Sequence, residues 1–354
     1  MEKFGDSLKG RGAAFNPDNP YSRTRLDATE IDGIDEALTV DPKTEILWDH
    51  PSKVVNKITS PDLPMAYSVN PYQGCEHGCA YCYARNAHSY WGLSAGLDFE
   101  RKIIVKQGVP DRLREHLDKK SWKARPIMFS GNTDCYQPLE RSLELTRQCL
   151  EVLAEYRNPV GIITKNALVL RDLPILKQMA ELGLVHVHVS ITTLDESLRR
   201  SLEPRTSTAK QRLRIIRELS EAGIPTGVMI GPVIPGLNHH EIPKILKESA
   251  EAGAVQAGYT FVRLNGDVGA VFEAWIREAY PDRAEKVLGQ IREAHGGKLS
   301  DSRFGVRMRG EGKMAESIQR LFRMFREKYF SGRSMPEYDL SHFRRPDKGQ
   351  LSLF

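Results

Sequence analysis

Three cysteines packed into one short run, Asn70-Pro71-Tyr72-Gln73-Gly74-Cys75-Glu76-His77-Gly78-Cys79-Ala80-Tyr81-Cys82, constrain this chain more than any other feature. Cys75, Cys79 and Cys82 are spaced for an iron–sulfur cube that keeps one iron free of protein ligands, because a closed cluster or a tetrahedral zinc site takes a fourth. His77 or His88 offers that fourth ligand for zinc. Zinc sites generally join two short ligand clusters across a loop, however, and the remaining cysteines, Cys135 and Cys149, stand alone far downstream. An odd count of 5 cysteines in 354 residues, with no signal peptide at the start, argues against a disulfide framework and for reduced thiols in the cytoplasm.

At 40% hydrophobic residues the chain can build one large core or two modest ones. Its longest apolar run, 227–237, is broken by Pro232 and Pro235, so neither a membrane span nor export is expected. The net charge of +5 is mild, but its distribution is uneven. Acids gather early (Asp27, Glu30, Asp32, Asp35, Glu36), and bases gather late (Arg320, Arg323, Arg326, Arg333, Arg344, Arg345). The basic end reads as a nucleic-acid surface or as a solvated charged face.

Residues 1–60 are rich in Pro, Gly, Asn and Asp with little periodicity, which predicts an extended arm laid over a domain. Beyond them, short β-branched or apolar runs alternate with stretches of helical period, the pattern of repeated βα units and a parallel sheet. Candidate strands cover 67–70, 127–130, 160–164, 185–192, 226–233 and 255–264. Six such units predict an α/β fold, a partial (β/α)6 barrel of TIM type with an irregular N-terminal arm and a helical C-terminal extension. One helix is predicted over 139–156, with Leu139, Leu143, Thr146, Leu150 and Leu153 on one face, and another over 209–222; these stripes read as core. Gly183, Gly223 and Gly253 each follow a helix and precede a strand, as left-handed caps should. Helices are predicted again over 270–280, 282–295 and 314–329, the last burying Met314, Ile318, Leu321, Phe322 and Phe325. The expected divisions are an arm (1–60), a barrel core (61–305) and a basic C-terminal helix and tail (306–354).

In a βα barrel the active residues gather on loops at the carboxyl ends of the strands, and the cysteines directly follow the first candidate strand. A triad in that position resembles the radical SAM superfamily, whose 4Fe-4S cluster binds S-adenosyl-L-methionine (AdoMet) through its open iron. The resemblance covers about 61–305. It implies one-electron cleavage of AdoMet to a 5′-deoxyadenosyl radical that removes hydrogen from a substrate, with the electron supplied by a reductant protein of flavodoxin or ferredoxin type. Within the superfamily the chain looks most like the spore photoproduct lyase family, and the cofactor contacts follow by position. Tyr81 would meet the adenine through its backbone. Ser130, Gly131, Asn132 and Thr133 would hold the methionine amino group, and Lys165 the carboxylate. Ser190 and Thr192 would lie near ribose and methionine, with Glu203 of Leu202-Glu203-Pro204 beside them and 231–236 on the adenine side.

Two departures stand out. The lyase family has a cysteine near the end of its second strand that returns a hydrogen atom to the repaired base, where this chain has Gly131 or Asn132; Cys135 reads either as a replacement donor or as an ordinary buried thiol, and Cys149 is expected to be core. The segment Gly10-Arg11-Gly12-Ala13 has no counterpart in that family. At the other end, Gln350, Leu351, Leu353 and Phe354 resemble the peptide that docks bacterial repair proteins on the DNA sliding clamp. These features favour a radical SAM enzyme acting on nucleic acid, DNA lesions included. The same chemistry on a protein, peptide or small molecule is the alternative, and a redox sensor that binds DNA or the clamp without turnover is a third reading. Tyr136, Tyr259, Phe261 and Arg263 fall at strand ends, either as substrate contacts or as barrel packing.

Overall fold

The computed structural model describes residues 10–21, 43–63 and 65–346. The clamp-like Gln350, Leu351, Leu353 and Phe354, and the acidic residues from Asp27 to Glu36, lie outside the described residues. Ten strands follow in chain order: β1 (Glu45–Asp49), β2 (Val55–Lys57), β3 (Tyr67–Val69), β4 (Tyr72–Gln73), β5 (Lys102–Lys106), β6 (Ile127–Phe129), β7 (Val160–Thr164), β8 (Val185–Ser190), β9 (Thr226–Val233) and β10 (Gln256–Phe261).

Strands β3, β6, β7, β8, β9 and β10 lie side by side in that order and all parallel, at the six places the periodicity marks; β2 adds one antiparallel strand beyond β3. Parallel neighbours need a crossover, and helices supply it on one face. On that face Ile127, Phe129, Val160, Ile162, Val187, Val189, Val228 and Ile230 have no exposed surface, packed against Leu176, Ile215, Ile216 and Leu246. Each such side chain contributes about 1.5–3 kcal/mol by leaving water, which makes this layer the main source of stability. Gly183, Gly223 and Gly253 take φ of 66°, 77° and 104°, the left-handed helix ends expected.

The helix predicted over 139–156 is in fact two, Glu140–Leu143 and Leu145–Glu155, joined at Glu144 with φ 53°. The cause is Glu140, whose buried carboxylate accepts the N–H groups of Thr146 (3.0 Å) and Arg147 (3.3 Å) and so caps the second helix. It also pairs with Arg171 at 2.7 Å and accepts the Tyr72 hydroxyl.

The arm is more than an extended cover. Its β1 pairs parallel with β5, and β5 pairs antiparallel with β4, making a small separate sheet whose β4 runs straight into the cysteine loop. No period marks strands this short and this far apart in sequence.

β10 and β2 are not paired, so the barrel is open on that side. A segment just beyond the helices spans the gap. Phe261 donates its N–H to Met308 O (2.9 Å), and Asp62 accepts the Gly305 N–H (2.7 Å) and Arg307 Nε (2.5 Å), while Arg307 Nη2 donates to Ser60 Oγ (2.7 Å). The Gly305 N–H and then the Arg307 guanidinium hold the Asp62 carboxyl below its usual range. A depressed carboxylate stabilises the fold above its ordinary pKa and ceases to as pH falls through the lowered one. Asp62→Ala should therefore speed amide exchange in 303–308 at pH 7, and the difference from the unaltered protein should vanish below the carboxylate range; equal exchange at pH 7 would remove Asp62 from this role.

The tail after the last helix (Gly312–Phe330) runs beneath the amino ends of the strands. Arg333 donates to the carbonyls of Ala250 (2.7 Å) and Ala254 (2.9 Å), Arg344 to Glu155 (3.1 Å), and Arg345 to Leu117 (3.2 Å), Lys119 (2.8 Å) and Trp122 (2.9 Å). These are the carbonyls at or just past the ends of helices Ile242–Glu251, Leu145–Glu155 and Val109–Asp118, where a cation both bonds the orphan acceptors and meets the negative end of the helix dipole. Part of the late basic charge is thus structural. Arg320, Arg323 and Arg326, by contrast, are exposed and have no acid partner among the described residues. No helix of the described residues is long and apolar enough to cross a membrane.

Candidate functional site

The cysteine loop leaves β4 and is tied on all sides by backbone. Cys75 donates its N–H to Phe99 O (2.9 Å), Ala80 to Leu202 O (2.9 Å), and His77 O accepts from Arg205 N (3.2 Å). Gln137 braces it twice, accepting from Glu76 N (3.0 Å) and donating to Gly74 O (3.1 Å). Cys75 and Cys79 are buried and Cys82 is partly exposed. Burial pushes all three thiols up, with Asp134 adding to the effect on Cys75 and Glu203 to that on Cys79. Burial thus disfavours the thiolates, and positive charge placed among them, as bound iron would place it, favours them. Among the described residues no three His, Cys, Asp or Glu side chains converge on a single ion; a cube instead spreads its three thiolates over three iron corners.

Beneath the loop lies a buried ion pair. Arg85 and Glu100 have no exposed surface and meet at 2.5 Å. Arg85 Nε donates to Cys79 O (2.9 Å), and Nη1 to Ala95 O (3.1 Å) and Gly96 O (2.9 Å). Glu100 accepts the N–H groups of Gly12 (3.0 Å) and Ala13 (2.8 Å), and Arg11 Nη1 donates to Glu100 O (2.7 Å). The segment Arg11 to Ala13 is therefore the underside of the cysteine loop. Its fit is tight: a Cβ on Gly12 would stand 1.7 Å from Gly78 O.

Across the loop, the end of β6 supplies the predicted Ser130 to Thr133. Ser130 adopts φ 67° and its Oγ accepts the Cys135 N–H (2.9 Å). Gly131 O accepts from the Tyr83 hydroxyl (2.9 Å), Thr133 Oγ1 donates to Tyr72 O (2.9 Å), and Asn132 Nδ2 donates to Gln73 Oε1 (2.7 Å). The Nε2 of Gln73 is then buried without a partner, an orphan donor beside the cysteines. Lys165, at the end of β7, has its Nζ 6.0 Å from the Tyr81 ring centre and forms no ion pair among the described residues. An orphan amide, an unpaired lysine and three thiols fit a ligand with a carboxylate that chelates iron.

Tyr81, Thr192 and Glu203 are brought together but face one another. Tyr81 donates its hydroxyl to Glu203 (2.5 Å), Thr192 Oγ1 donates to Gly231 O (3.0 Å) and lies 3.2 Å from both Tyr81 and Glu203, and Arg212 pairs with Glu203 at 2.6 Å. Glu203 is wholly buried, and the Arg212 charge holds its carboxyl down despite that burial. Ser190, 2% exposed, keeps its hydroxyl free of described partners.

Of the two readings of Cys135, the structure favours the buried thiol over the hydrogen donor. It has no exposed surface, belongs to the main core and has its thiol pushed up by burial, while its carbonyl accepts from Thr146 (2.7 Å). Cys149 is core as expected. Tyr136 is buried against Asp172 and Phe261 against His295, so both are packing; Tyr259 leans on Phe322. Arg263 is half-buried beside Arg307 and Tyr83, forms no ion pair among the described residues, and has Asp62 near enough to act on its charge. Sequence reasoning missed Glu100 and Gln73, and marked Asp134 only as the end of the Ser130 segment; its carboxylate accepts from Thr164 (2.8 Å) and Lys165 N (2.8 Å) and stands 3.5 Å from His77. Asp134 follows Thr133 directly and so carried a positional signal; Glu100, in an ordinary charged stretch, carried none.

A thiol triad thus stands at the carboxyl end of the first barrel strand, opposite a lysine that forms no ion pair among the described residues. Residues 69–248, just over half of the chain, match the radical SAM superfamily, and the chain belongs to it. An uncharacterized protein of Mycobacterium tuberculosis is 35% identical over 222 residues, 62% of this chain and 65% of its own length, so the match spans less than two thirds of that relative. One from Methanocaldococcus jannaschii is 28% identical over 69% of this chain and 86% of its own. Among solved structures, a spore photoproduct lyase variant with bound AdoMet and dinucleoside spore photoproduct superposes with a TM-score of 0.57 at 17% identity, over 81% of this chain and 79% of that one, a likeness of fold.

Proposed function

We propose that the chain is a radical SAM enzyme that acts on nucleic acid, with a 4Fe-4S cluster on Cys75, Cys79 and Cys82 and AdoMet on the open iron. The observation that carries the cofactor reading is Lys165, a half-buried cation with no carboxylate at ion-pair distance among the described residues, at the end of the strand that faces the cysteine loop. When bound, the cluster and AdoMet supply one-electron cleavage of the S–C5′ bond, with the electron from a flavodoxin- or ferredoxin-type protein. Lys165 and the free Gln73 amide N–H would bind the methionine carboxylate, and the backbone of Ser130 to Thr133 would hold the amino end. Ser190 offers its free hydroxyl to the ribose. Tyr81 is kept in one orientation by Glu203 and Thr192, which act through it, and Arg212 keeps Glu203 ionised.

The nucleic-acid part rests on the mouth and its flank. Arg263 and Tyr83 stand together at the mouth, and Arg309 and Arg323 lie beside Tyr259. Unpaired guanidinium groups interleaved with aromatics suit phosphates and bases. The related fold with bound dinucleoside spore photoproduct supports the same class of substrate.

Anaerobically reconstituted protein given dithionite and AdoMet should form 5′-deoxyadenosine; an intact cluster with no cleavage would sink the proposal in favour of a sensor. Lys165→Ala should weaken AdoMet binding about 10- to 100-fold in calorimetry, as loss of one charge-assisted hydrogen bond of about 1.5–3 kcal/mol requires. Unchanged affinity would remove Lys165 from the site. Oligonucleotide binding should fall steeply with salt.

A further inference from the structure

The two faces of the barrel sheet differ sharply. The helix-covered face is sealed, whereas on the other Met128, Ile163, His188, Met229, Gln256, Gly258 and Thr260 are all half-exposed. That these share the inner face follows from strand alternation against the sealed residues and, for β8 to β10, from contacts: a Cβ on Gly227 would lie 2.7 Å from the His188 ring, one on Gly258 3.0 Å from Met229, and one on Gly231 3.3 Å from Thr260. The lumen is closed at the strands' amino ends, where His186 stacks on Tyr338 of the tail at 3.8 Å and Met65 lies against Gly161. It opens at the carboxyl ends, where the cysteine loop sits.

Half-way down is a polar pair. His188 Nε2 and Gln256 Oε1 are 2.9 Å apart, across β9 from one another. Their other polar atoms, His188 Nδ1 and Gln256 Nε2, have no partner among the described residues. If Nε2 of the histidine carries the proton, Nδ1 is an acceptor and the glutamine amide a donor; with the amide turned and the proton on Nδ1, the roles exchange. Either way the lumen presents one free donor and one free acceptor. Ser190, with its free hydroxyl, is two residues along the same strand face, about 7 Å nearer the mouth.

We infer that His188 and Gln256 form a substrate-reading floor inside the barrel, which takes a neutral planar ring carrying both hydrogen-bond donors and acceptors, as a nucleobase does. This rests on the radical SAM reading above. Neutrality follows because no Lys, Arg, Asp or Glu lies among these inner-face positions, and burial holds His188 below its usual pKa; a charged ligand would lose its water there with no counter-ion. A purely apolar ligand would leave the histidine and glutamine unsatisfied. Glycines at 227, 231 and 258 and the thioethers of Met128 and Met229 leave flat, polarisable walls for a ring.

The test uses the full chain, reconstituted anaerobically with AdoMet, and two probes: thymidine and its difluorotoluene isostere, which has the same shape without the hydrogen bonds. Equilibrium dialysis should show thymidine bound at least tenfold more tightly than the isostere. Gln256→Met and His188→Phe should erase that preference, and Gly227→Ala, which displaces the imidazole without altering its chemistry, should reduce it. Equal binding of the two probes, absence of thymidine binding, tighter binding of N-acetylphenylalanine amide, or variants that keep the full preference would each overturn the proposal. 5′-Deoxyadenosine is measured in the same samples: its absence from the unaltered protein defeats the radical SAM reading, while the probe preference is judged separately.

Discussion

Cys79→Ala should abolish 5′-deoxyadenosine formation and strip most of the iron, while leaving the chain folded. The folded state survives because what holds this stretch is backbone: Arg85 grips the Cys79 carbonyl and Ala80 donates to Leu202 O, and neither bond involves the thiol. What disappears is one of three thiolates available to a cube whose other two cannot hold it against exchange with solvent. Iron and sulfide content, AdoMet cleavage and thermal unfolding measured on one preparation check the claim. A variant that keeps its full iron and still cleaves AdoMet would mean that the triad is not the cluster site.

The second large effect falls on a residue that touches no cofactor. Glu100→Ala should cost about 3–5 kcal/mol of stability, because Arg85 is left as an uncompensated charge with no exposed surface. It also removes the acceptor for Gly12 and Ala13, so the arm loses its seat and the cysteine loop its floor. The expected result is a lower denaturation midpoint together with faster alkylation of the three cysteines in iron-free protein. Gly12→Val separates the two consequences. It leaves the ion pair intact but cannot fit against Gly78 O, so alkylation should quicken with a smaller loss of stability. If neither variant alters alkylation, the arm does not brace the loop.

How much of this was legible follows the range over which each signal acts. The six barrel strands and their glycine caps show in the sequence because Val187 and Val189 alternate with His186 and His188, and because Gly183 and Gly223 sit where a helix must end left-handed. The cysteine triad is local and needs no fold to be seen. Glu140 defeated the helical period because a buried carboxylate turned back to cap Thr146 and broke the helix at Glu144. Arg85 and Glu100 read as ordinary surface charges, and only the packing of Gly12 from far upstream makes them interior. Cys135 looked well placed by counting residues from Ser130, yet the turn at Ser130 directs it into the core. The lumen pair was invisible for the same reason: His188 and Gln256 are 68 residues apart and meet only across β9.

The arginines of the tail fix more than helix ends. Arg344 and Arg345 are fastened to carbonyls at the amino ends of the strands, while the cysteine loop and Lys165 stand at the carboxyl ends. The described residues up to Pro346 are therefore fastened on the far side of the barrel from its mouth, separated by the length of the strands, about 20 Å. The fastening of the tail and the opening of the barrel thus use opposite surfaces, and the described tail leaves the mouth uncovered.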